Sequence, residues 1–137
     1  MRRSIIRHLL ILVTLSSIGF IVAPSANGGP LEPPQGFKRY LDGVKQGDVD
    51  AILSGFTQDP VVVDVGRRIE GRKAIRQWLK DEVLGLRYEV LSTSPAKDKN
   101  RVLVKITLRS GGSFKAHYDL TVDKDGLISH ADLKYAD

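Results

Sequence analysis

The spacing of apolar residues changes at Gly85, and this change limits the folds open to the chain. Before Gly85, apolar residues recur every three or four positions in three segments, as in amphipathic helices. After Gly85, apolar and polar residues alternate, as in strands that bury one face. A valine-rich strand lies between the second and third helical segments. The sequence therefore predicts an α+β fold, in which three helices pack on one face of a curved, mostly antiparallel sheet.

The predicted elements are separated by glycines, prolines and polar turns. The three helices are expected to bury Phe37, Tyr40, Leu41 and Val44, then Val49, Ile52, Leu53 and Phe56, and then Ala74, Ile75, Trp78, Leu79 and Val83. The four later strands are predicted at 86–92, 101–109, 114–122 and 127–135. Residues 66–72 are predicted to form a turn, and residues 94–100 a loop.

The beginning of the chain differs from the rest. Three arginines precede an uncharged apolar run from Leu9 to Ala23, and small residues follow it. This order is typical of a secretory signal peptide, and about fifteen residues is short for a membrane span. We therefore predict a secreted or periplasmic protein, with an uncleaved signal that anchors it to the membrane as the alternative. The predicted parts are a signal peptide at 1–27, a Pro/Gly-rich linker at 28–36 and a folded domain at 37–137.

Charge and cysteine content exclude several classes of function. The chain carries 21 basic and 16 acidic residues, but the predicted signal peptide holds three of the basic residues and none of the acidic ones. The remaining 18 basic and 16 acidic residues give a formal charge of +2 and are dispersed, so we expect no nucleic-acid partner. The absence of cysteine excludes disulfides, thiolate catalysis and zinc–thiolate sites.

One carboxylate interrupts the valine-rich strand, in the stretch "DPVVVDVG". Asp64 has valines on both sides, so its neighbours are apolar whichever face it occupies. An unpaired buried charge is costly. Asp64 is therefore either a strand-end residue that starts a turn and reaches water, or a functional group tuned by its surroundings.

Two stretches carry a resemblance to a known family. "RYLDGVKQGDVDAILSGFTQDPVVVDVG" and "EGRKAIRQWL", followed by strands that end in "DGLI", resemble the nuclear transport factor 2-like superfamily, in its SnoaL-like and ketosteroid-isomerase-like branches. The similarity covers Phe37 to Tyr135. It implies a cone-shaped fold with one deep pocket, often in a homodimer. This fold carries isomerases, dehydratases, cyclases, epoxide hydrolases and binding domains without catalysis, so the resemblance alone does not choose among them.

The resemblance also implies roles for individual residues. Ketosteroid isomerases use an aspartate after the first strand to move a proton, and a tyrosine and a late acidic residue to hydrogen-bond the substrate oxygen. The matching positions are Asp64 and Tyr40, while the third position departs from the family and holds Tyr118, with Asp119 one step outside. A tyrosine can still donate to an oxyanion.

Strand alternation supports an inward orientation for Tyr118. In 114–122, Tyr118 shares a face with Phe114, Ala116 and Leu120. The side chains expected to line the pocket are Trp78, Phe56, Phe114, Ala131, Leu133 and Tyr135.

The register of the last hairpin decides what lies on the outer face. We prefer a four-residue turn "DKDG", which would place His117 opposite Asp132 and Asp119 opposite His130. A two-residue turn would place Asp119 opposite Asp132, and opposed like charges are unfavourable. These four side chains would bind a divalent metal or only form cross-strand ion pairs.

Two functions remain open from the sequence. The first is an exported SnoaL-like domain whose apolar pocket binds a hydrophobic small molecule. The alternative is an isomerase, cyclase or dehydratase in which Asp64 is the general base and Tyr40 and Tyr118 donate to the oxyanion. Neither requires a cofactor. The resemblance implies that such domains are often homodimers, and we expect a homodimer here to use the sheet face.

Overall fold

The structure is a computed structural model that describes residues 31–96 and 98–136. The predicted signal peptide lies outside the described residues. A π-helical turn, Leu79–Val83, extends the third helix. The elements are α1 (Gln35–Gln46), α2 (Val49–Leu53), β1 (Phe56–Asp64), β2 (Arg67–Glu70), α3 (Gly71–Trp78), β3 (Arg87–Ala96), β4 (Lys99–Thr107), β5 (Ser113–Val122) and β6 (Ile128–Ala136).

The six strands form one open sheet in the order β2-β1-β6-β5-β4-β3. Every neighbouring pair is antiparallel except β1 and β6, which are parallel, so the first and last strands lie side by side. The three helices pack on one face of this sheet, and the predicted α+β fold is confirmed. None of the helices in the described part of the chain is long and apolar enough to cross a membrane.

The first helix begins earlier than expected. It starts at Gln35, within the predicted linker 28–36, and Pro34 precedes it. Gly36 is buried against the backbone of Gly55, where a β-carbon would clash with the Gly55 carbonyl oxygen. The Gly36 N–H donates to Gly126 O at 2.8 Å, which fixes the start of α1 beside the last hairpin. Glycine is therefore required here for close backbone approach.

The predicted turn at 66–72 is wrong, because residues 67–70 form β2. This strand pairs with β1 and places Arg67 opposite Asp64. Val65 and Gly66 form the two-residue loop between them, with φ of 49° and 85°. Two positive φ values match the type I′ turn that joins tightly twisted hairpins. The sequence signal was weak because a four-residue strand with three charged residues has little alternation.

The predicted loop at 94–100 is also wrong for most of its length. Strand β3 continues through Pro95 to Ala96, and β4 begins at Lys99. Proline is tolerated because β3 is the edge strand, where a missing N–H need not cost a ladder hydrogen bond.

The preferred register of the last hairpin is wrong by two residues. Asp119 lies opposite Asp132, and Tyr118 opposite Leu133. The turn is set by Asp123, whose carboxylate accepts from the N–H groups of Asp125 and Leu127, both at 2.9 Å. A register shift between Thr121 and Val122 accommodates the extra residue. The predicted inward face of Tyr118 is unaffected, because a two-residue change preserves strand parity.

Arginine and lysine make the opposed aspartates compatible. Arg101, on β4, donates to both oxygens of Asp119, at 2.6 and 2.8 Å, and Lys134 Nζ lies 3.5 Å from Asp132. Neither predicted histidine–aspartate pair forms, since His117 lies opposite Lys134 and His130 opposite Thr121. Within 31–96 and 98–136, no three histidines or carboxylates are grouped to hold a metal ion.

Candidate functional site

A cavity of about 390 Å³ opens between α3 with its π-helical turn and the inner face of the sheet. We call it the inner cavity. Its volume lies within the usual range for small-molecule sites. Most of its walls are aliphatic or aromatic, and the polar groups are few. The lining comprises Asp64, Val65, Trp78, Glu82, Val83, Leu86, Tyr88, Ile106, Leu108, Phe114, Ala116, Tyr118, Leu133, Lys134 and Tyr135.

Three tyrosine hydroxyl groups lie within hydrogen-bond distance of one another at the wall of the inner cavity. The Tyr88 and Tyr118 oxygens are 2.9 Å apart, Tyr40 and Tyr88 are 3.1 Å apart, and Tyr40 and Tyr118 are 3.4 Å apart. Their rings meet edge to face, with centroids 5.7 to 6.1 Å apart. Tyr88 and Tyr118 line the cavity, whereas Tyr40 lies behind them. We call these three residues the tyrosine cluster.

Burial keeps the tyrosine cluster uncharged. Burial is the main reason why the pKa values of Tyr40, Tyr88 and Tyr118 are raised, because an ionised phenolate would lose its hydration. The shift is largest for Tyr40 and Tyr118, where a neighbouring tyrosine adds to it. All three therefore remain hydrogen-bond donors near neutral pH.

The tyrosine cluster can donate one of its hydroxyl protons to a ligand. Three hydroxyls have three protons for three contacts, so an acceptor in the inner cavity must take a proton from one contact. The contact between Tyr40 and Tyr118, at 3.4 Å, is the longest and weakest. Tyr40 can still donate to Tyr88 and Tyr88 to Tyr118, which frees the proton of Tyr118 for the ligand.

Asp64 lies at the end of β1 and faces the inner cavity. Its Oδ2 accepts from Trp78 Nε1 at 3.0 Å and from Arg67 Nη2 at 2.8 Å. Arg67 also donates to Glu82 at 2.7 Å, so it links the end of β1 to the π-helical turn. Among the described residues, no side chain or backbone group donates to Oδ1. Both hydrogen bonds hold Oδ2 and leave Oδ1 for a ligand.

The sequence-predicted residues divide into two groups. Asp64, Trp78, Phe114, Tyr118, Leu133 and Tyr135 line the inner cavity. The other three lie outside the lining and belong to the buried core, and they are Tyr40, Phe56 and Ala131. Phe56 contacts Tyr40 edge to face at 6.2 Å, so it supports the tyrosine cluster from behind.

Sequence reasoning missed Tyr88 and Arg67. Tyr88 pairs with Ile106, a buried residue of the inner face, and the alternation of Leu86, Tyr88 and Val90 was an available signal for its orientation. Arg67 had no such signal, because its role follows from the β1–β2 hairpin that was predicted as a turn.

A second groove, of about 520 Å³, lies between α1 and the start of β3. It shares Leu86 and Tyr88 with the inner cavity but is edged by the charged residues Asp42, Lys45 and Arg87. It contains neither Asp64 nor Tyr118. The inner cavity therefore has the richer set of functional groups.

Comparison with solved structures identifies proteins with the same fold. A Sinorhizobium meliloti protein assigned as a polyketide cyclase is 30% identical, with a TM-score of 0.64 over 74% of this chain and 94% of that one. SalBIII, described as an epoxide hydrolase/cyclase-like enzyme of pyran ring formation in salinomycin, is 23% identical, with a TM-score of 0.65 over 74% and 88%. A Mycobacterium tuberculosis protein in complex with estradiol-17β-hemisuccinate is 16% identical, with a TM-score of 0.63 over 74% and 91%.

The sequence was also compared with curated proteins and with known domain families. Among curated proteins, no match to this chain was found. The SnoaL-like domain, as a family, matches residues 37–131, which is most of the folded part. The resemblance to the nuclear transport factor 2-like superfamily is confirmed, and the chain belongs to the SnoaL-like domain family.

Proposed function

We propose that the inner cavity binds an uncharged, largely apolar small molecule whose oxygen accepts a hydrogen bond from Tyr118. The observation that carries this proposal is the tyrosine cluster, which presents neutral donors in an otherwise apolar cavity. One protein of this fold binds estradiol-17β-hemisuccinate, and the apolar steroid skeleton of that ligand supports the apolar part of the proposal. In this arrangement Tyr40 and Tyr88 position Tyr118 and strengthen its donation.

Trp78 offers a direct test of binding. It is the only tryptophan in the chain and lines the inner cavity. Titration with estradiol, a neutral steroid, should change Trp78 fluorescence in a saturable way. Tyr118→Phe should weaken binding about tenfold, since it removes one hydrogen bond but keeps the ring. Leu91→Ser, at an exposed site outside the cavity, is the control and should bind like the original protein. The proposal fails if the fluorescence does not respond, or if Tyr118→Phe and Leu91→Ser bind equally well.

A second candidate is proton-transfer catalysis, as in an isomerase, cyclase or dehydratase. It is favoured by one observation, the free Oδ1 of Asp64 in the same cavity as Tyr118. Oδ1 would take a proton from the carbon beside a carbonyl, and the electron pair would move onto the oxygen bonded by Tyr118, giving an enolate. In a ketone with a double bond between its β- and γ-carbons this enolate is conjugated, and return of the proton to the γ-carbon would complete an isomerisation.

The catalytic proposal is tested with a simple β,γ-unsaturated ketone. Cyclohex-3-enone should convert to cyclohex-2-enone, followed by the absorbance of the conjugated product. Asp64→Asn should abolish the conversion, and Tyr118→Phe should slow it about a hundredfold. If Asp64→Asn keeps the original rate, Asp64 is not the base and the binding role stands alone.

We also propose that the protein is exported, as a secreted or periplasmic domain. The arginines and apolar run of the first residues support this. The N-terminal sequence of protein recovered outside the cytoplasm should begin after residue 23 and no later than about residue 28. Recovery of the full chain from the cytoplasm would contradict export.

A homodimer through the outer face of the sheet is proposed as well. The resemblance supports it. That face also carries apolar side chains, because alternation with the inward residues places Val61, Val63 and Leu103 there. Leu103→Lys should shift the mass measured by light scattering from dimer to monomer. A monomeric original protein would overturn this proposal.

A further inference from the structure

Three apolar side chains at the mouth of the inner cavity are exposed to water. Val65, Leu108 and Tyr135 are 52%, 40% and 67% exposed, and each belongs to the cavity lining. We call them the rim. Neither Val65 nor Leu108 was expected from the sequence to contact a ligand. An exposed apolar group of this kind often marks a binding surface.

The backbone of Val65 is an independent sign that the rim has a use. Val65 has φ of 49°, a left-handed conformation that is unfavourable for a β-branched residue. The first position of a type I′ turn favours asparagine, aspartate or glycine. The Val65 N–H donates to Leu133 O at 3.0 Å, so the sheet holds the turn at the cavity mouth. Strain of this kind is concentrated at functional sites.

Cavity size indicates when a ligand must reach the rim. At about 30 Å³ for each water-sized group, roughly thirteen such groups fill the inner cavity. A molecule of about this size fills the cavity up to its mouth, whereas a much smaller one can stay at the inner end near Tyr118. The outer part of the larger molecule then contacts Val65, Leu108 and Tyr135.

The charges near the mouth favour a ligand without charge. Arg67 is paired with Asp64 at 2.8 Å and Glu82 at 2.7 Å, and Lys134 lies 3.5 Å from Asp132. An anionic group would have to compete with these carboxylates for their cations. An uncharged tail requires no such exchange.

We propose that the rim extends the ligand site, and that the ligand is an elongated, uncharged, apolar molecule with an oxygen at Tyr118 and its far end across Val65, Leu108 and Tyr135. This inference rests on the proposed binding function. It identifies Val65 and Leu108 as residues that select for ligand length.

Two ketones of different length test the inference, with Trp78 fluorescence as the readout. We use 2-octanone, which fits inside the cavity, and 2-tetradecanone, which reaches the rim. The longer ketone should bind more tightly, by about two- to fourfold for each methylene that the rim shields. Val65→Asn should weaken 2-tetradecanone about fivefold. It should weaken 2-octanone by less, because the shorter ketone fills only part of the cavity. The same variant should unfold about 5 °C higher, because asparagine suits the turn.

A matched pair of leucines supplies the control. Leu108 of the rim and Leu91, which lies outside the cavity lining, are both 40% exposed. Leu108→Ser should weaken 2-tetradecanone more than 2-octanone, and Leu91→Ser should change neither ketone. If 2-octanone binds but Val65→Asn and Leu108→Ser leave the affinity for 2-tetradecanone unchanged, the rim inference is wrong and the binding function stands. If neither ketone binds, the proposed function fails together with the inference.

Discussion

Tyr118 and Asp119 are consecutive residues of β5, and they bury polar groups on opposite faces of the sheet by different means. Tyr118 faces inward and shares hydrogen bonds with two other neutral phenols. Asp119 faces outward, only 5% exposed, and both of its oxygens accept from Arg101. The two pKa values therefore shift in opposite directions. Burial raises the pKa of Tyr118, and the hydrogen bonds from Arg101 lower the pKa of Asp119.

The difference indicates which face can bind a ligand by hydrogen bonding. A carboxylate held by two bonds from one guanidinium has its charge compensated, and the pair stabilises the fold. A cluster of phenols can exchange one internal contact for a contact to a ligand at little cost. We therefore expect the inner cluster alone to control binding, and each of the two groups to affect stability at its own end of the pH range.

The largest expected effect is the loss of stability at alkaline pH, and it belongs to the inner cluster. Burial raises the pKa of Tyr40, Tyr88 and Tyr118, so their contribution is complete below the unfolded value of about 10 and is lost as the pH rises through the folded values. For each tyrosine that stays protonated in the folded protein, the free energy of unfolding falls by up to about 1.4 kcal/mol per pH unit above 10. Urea unfolding across this range measures the slope. Tyr118→Phe should make it shallower, and an unchanged slope would contradict the assignment.

Removal of the outer carboxylate should have the next largest effect. Asp119→Ala should lower the free energy of unfolding by about 2 kcal/mol, because two charge-assisted hydrogen bonds are lost. The loss is smaller than for a fully buried pair, since the Arg101 side chain is 41% exposed and its charge can reach water. Urea denaturation measures the change. Estradiol affinity should stay the same, and a large loss of affinity in folded protein would show that the two faces are coupled.

Single hydroxyl deletions in the tyrosine cluster should each cost about 1 kcal/mol or less, in a defined order. Tyr88→Phe removes both short contacts, at 2.9 and 3.1 Å, and should cost most. Tyr118→Phe should follow, and Tyr40→Phe should cost least because it leaves the 2.9 Å contact intact. Thermal and urea unfolding of the three variants tests the ranking. Equal costs would mean that the hydroxyls do not act as a connected set.

Much of this comparison could be predicted from the sequence. Strand alternation correctly placed Tyr118 inward and Asp119 outward, because parity depends only on local spacing. The helical spacing correctly predicted α1 and α3, although Ala74 is exposed and Phe56, expected on the second helix, begins β1. The family resemblance correctly predicted the fold. The resemblance implied that Asp64 follows the first strand beside the pocket; β1 ends at Asp64, which lines the inner cavity.

Features that depend on distant contacts could not be predicted in this way. The β5–β6 register was misjudged because the opposed aspartates are compensated by Arg101 from a third strand and by Lys134. Tyr40 was expected in the pocket wall, but Tyr88 from β3 lies beside Tyr118 there, and the β3 pairing carries a register shift after Val90. Such contacts follow from how strands associate, and one strand's sequence does not contain that information.

The smallest expected effect is the loss of stability at acidic pH, and it belongs to the outer pair. The hydrogen bonds from Arg101 lower the pKa of Asp119, so its contribution is complete above the unfolded value of about 3.9 and is lost as the pH falls through the folded value. Protonation removes the charge but keeps the oxygens in place, so the loss should be smaller than for Asp119→Ala. Asp119→Asn, an uncharged control of the same shape, should lack this part of the acid dependence. Urea unfolding of both proteins between pH 5 and 2 gives the difference. If the two curves are parallel, Asp119 titrates alike in the folded and unfolded chains, and the contrast between the two faces of β5 does not rest on charge.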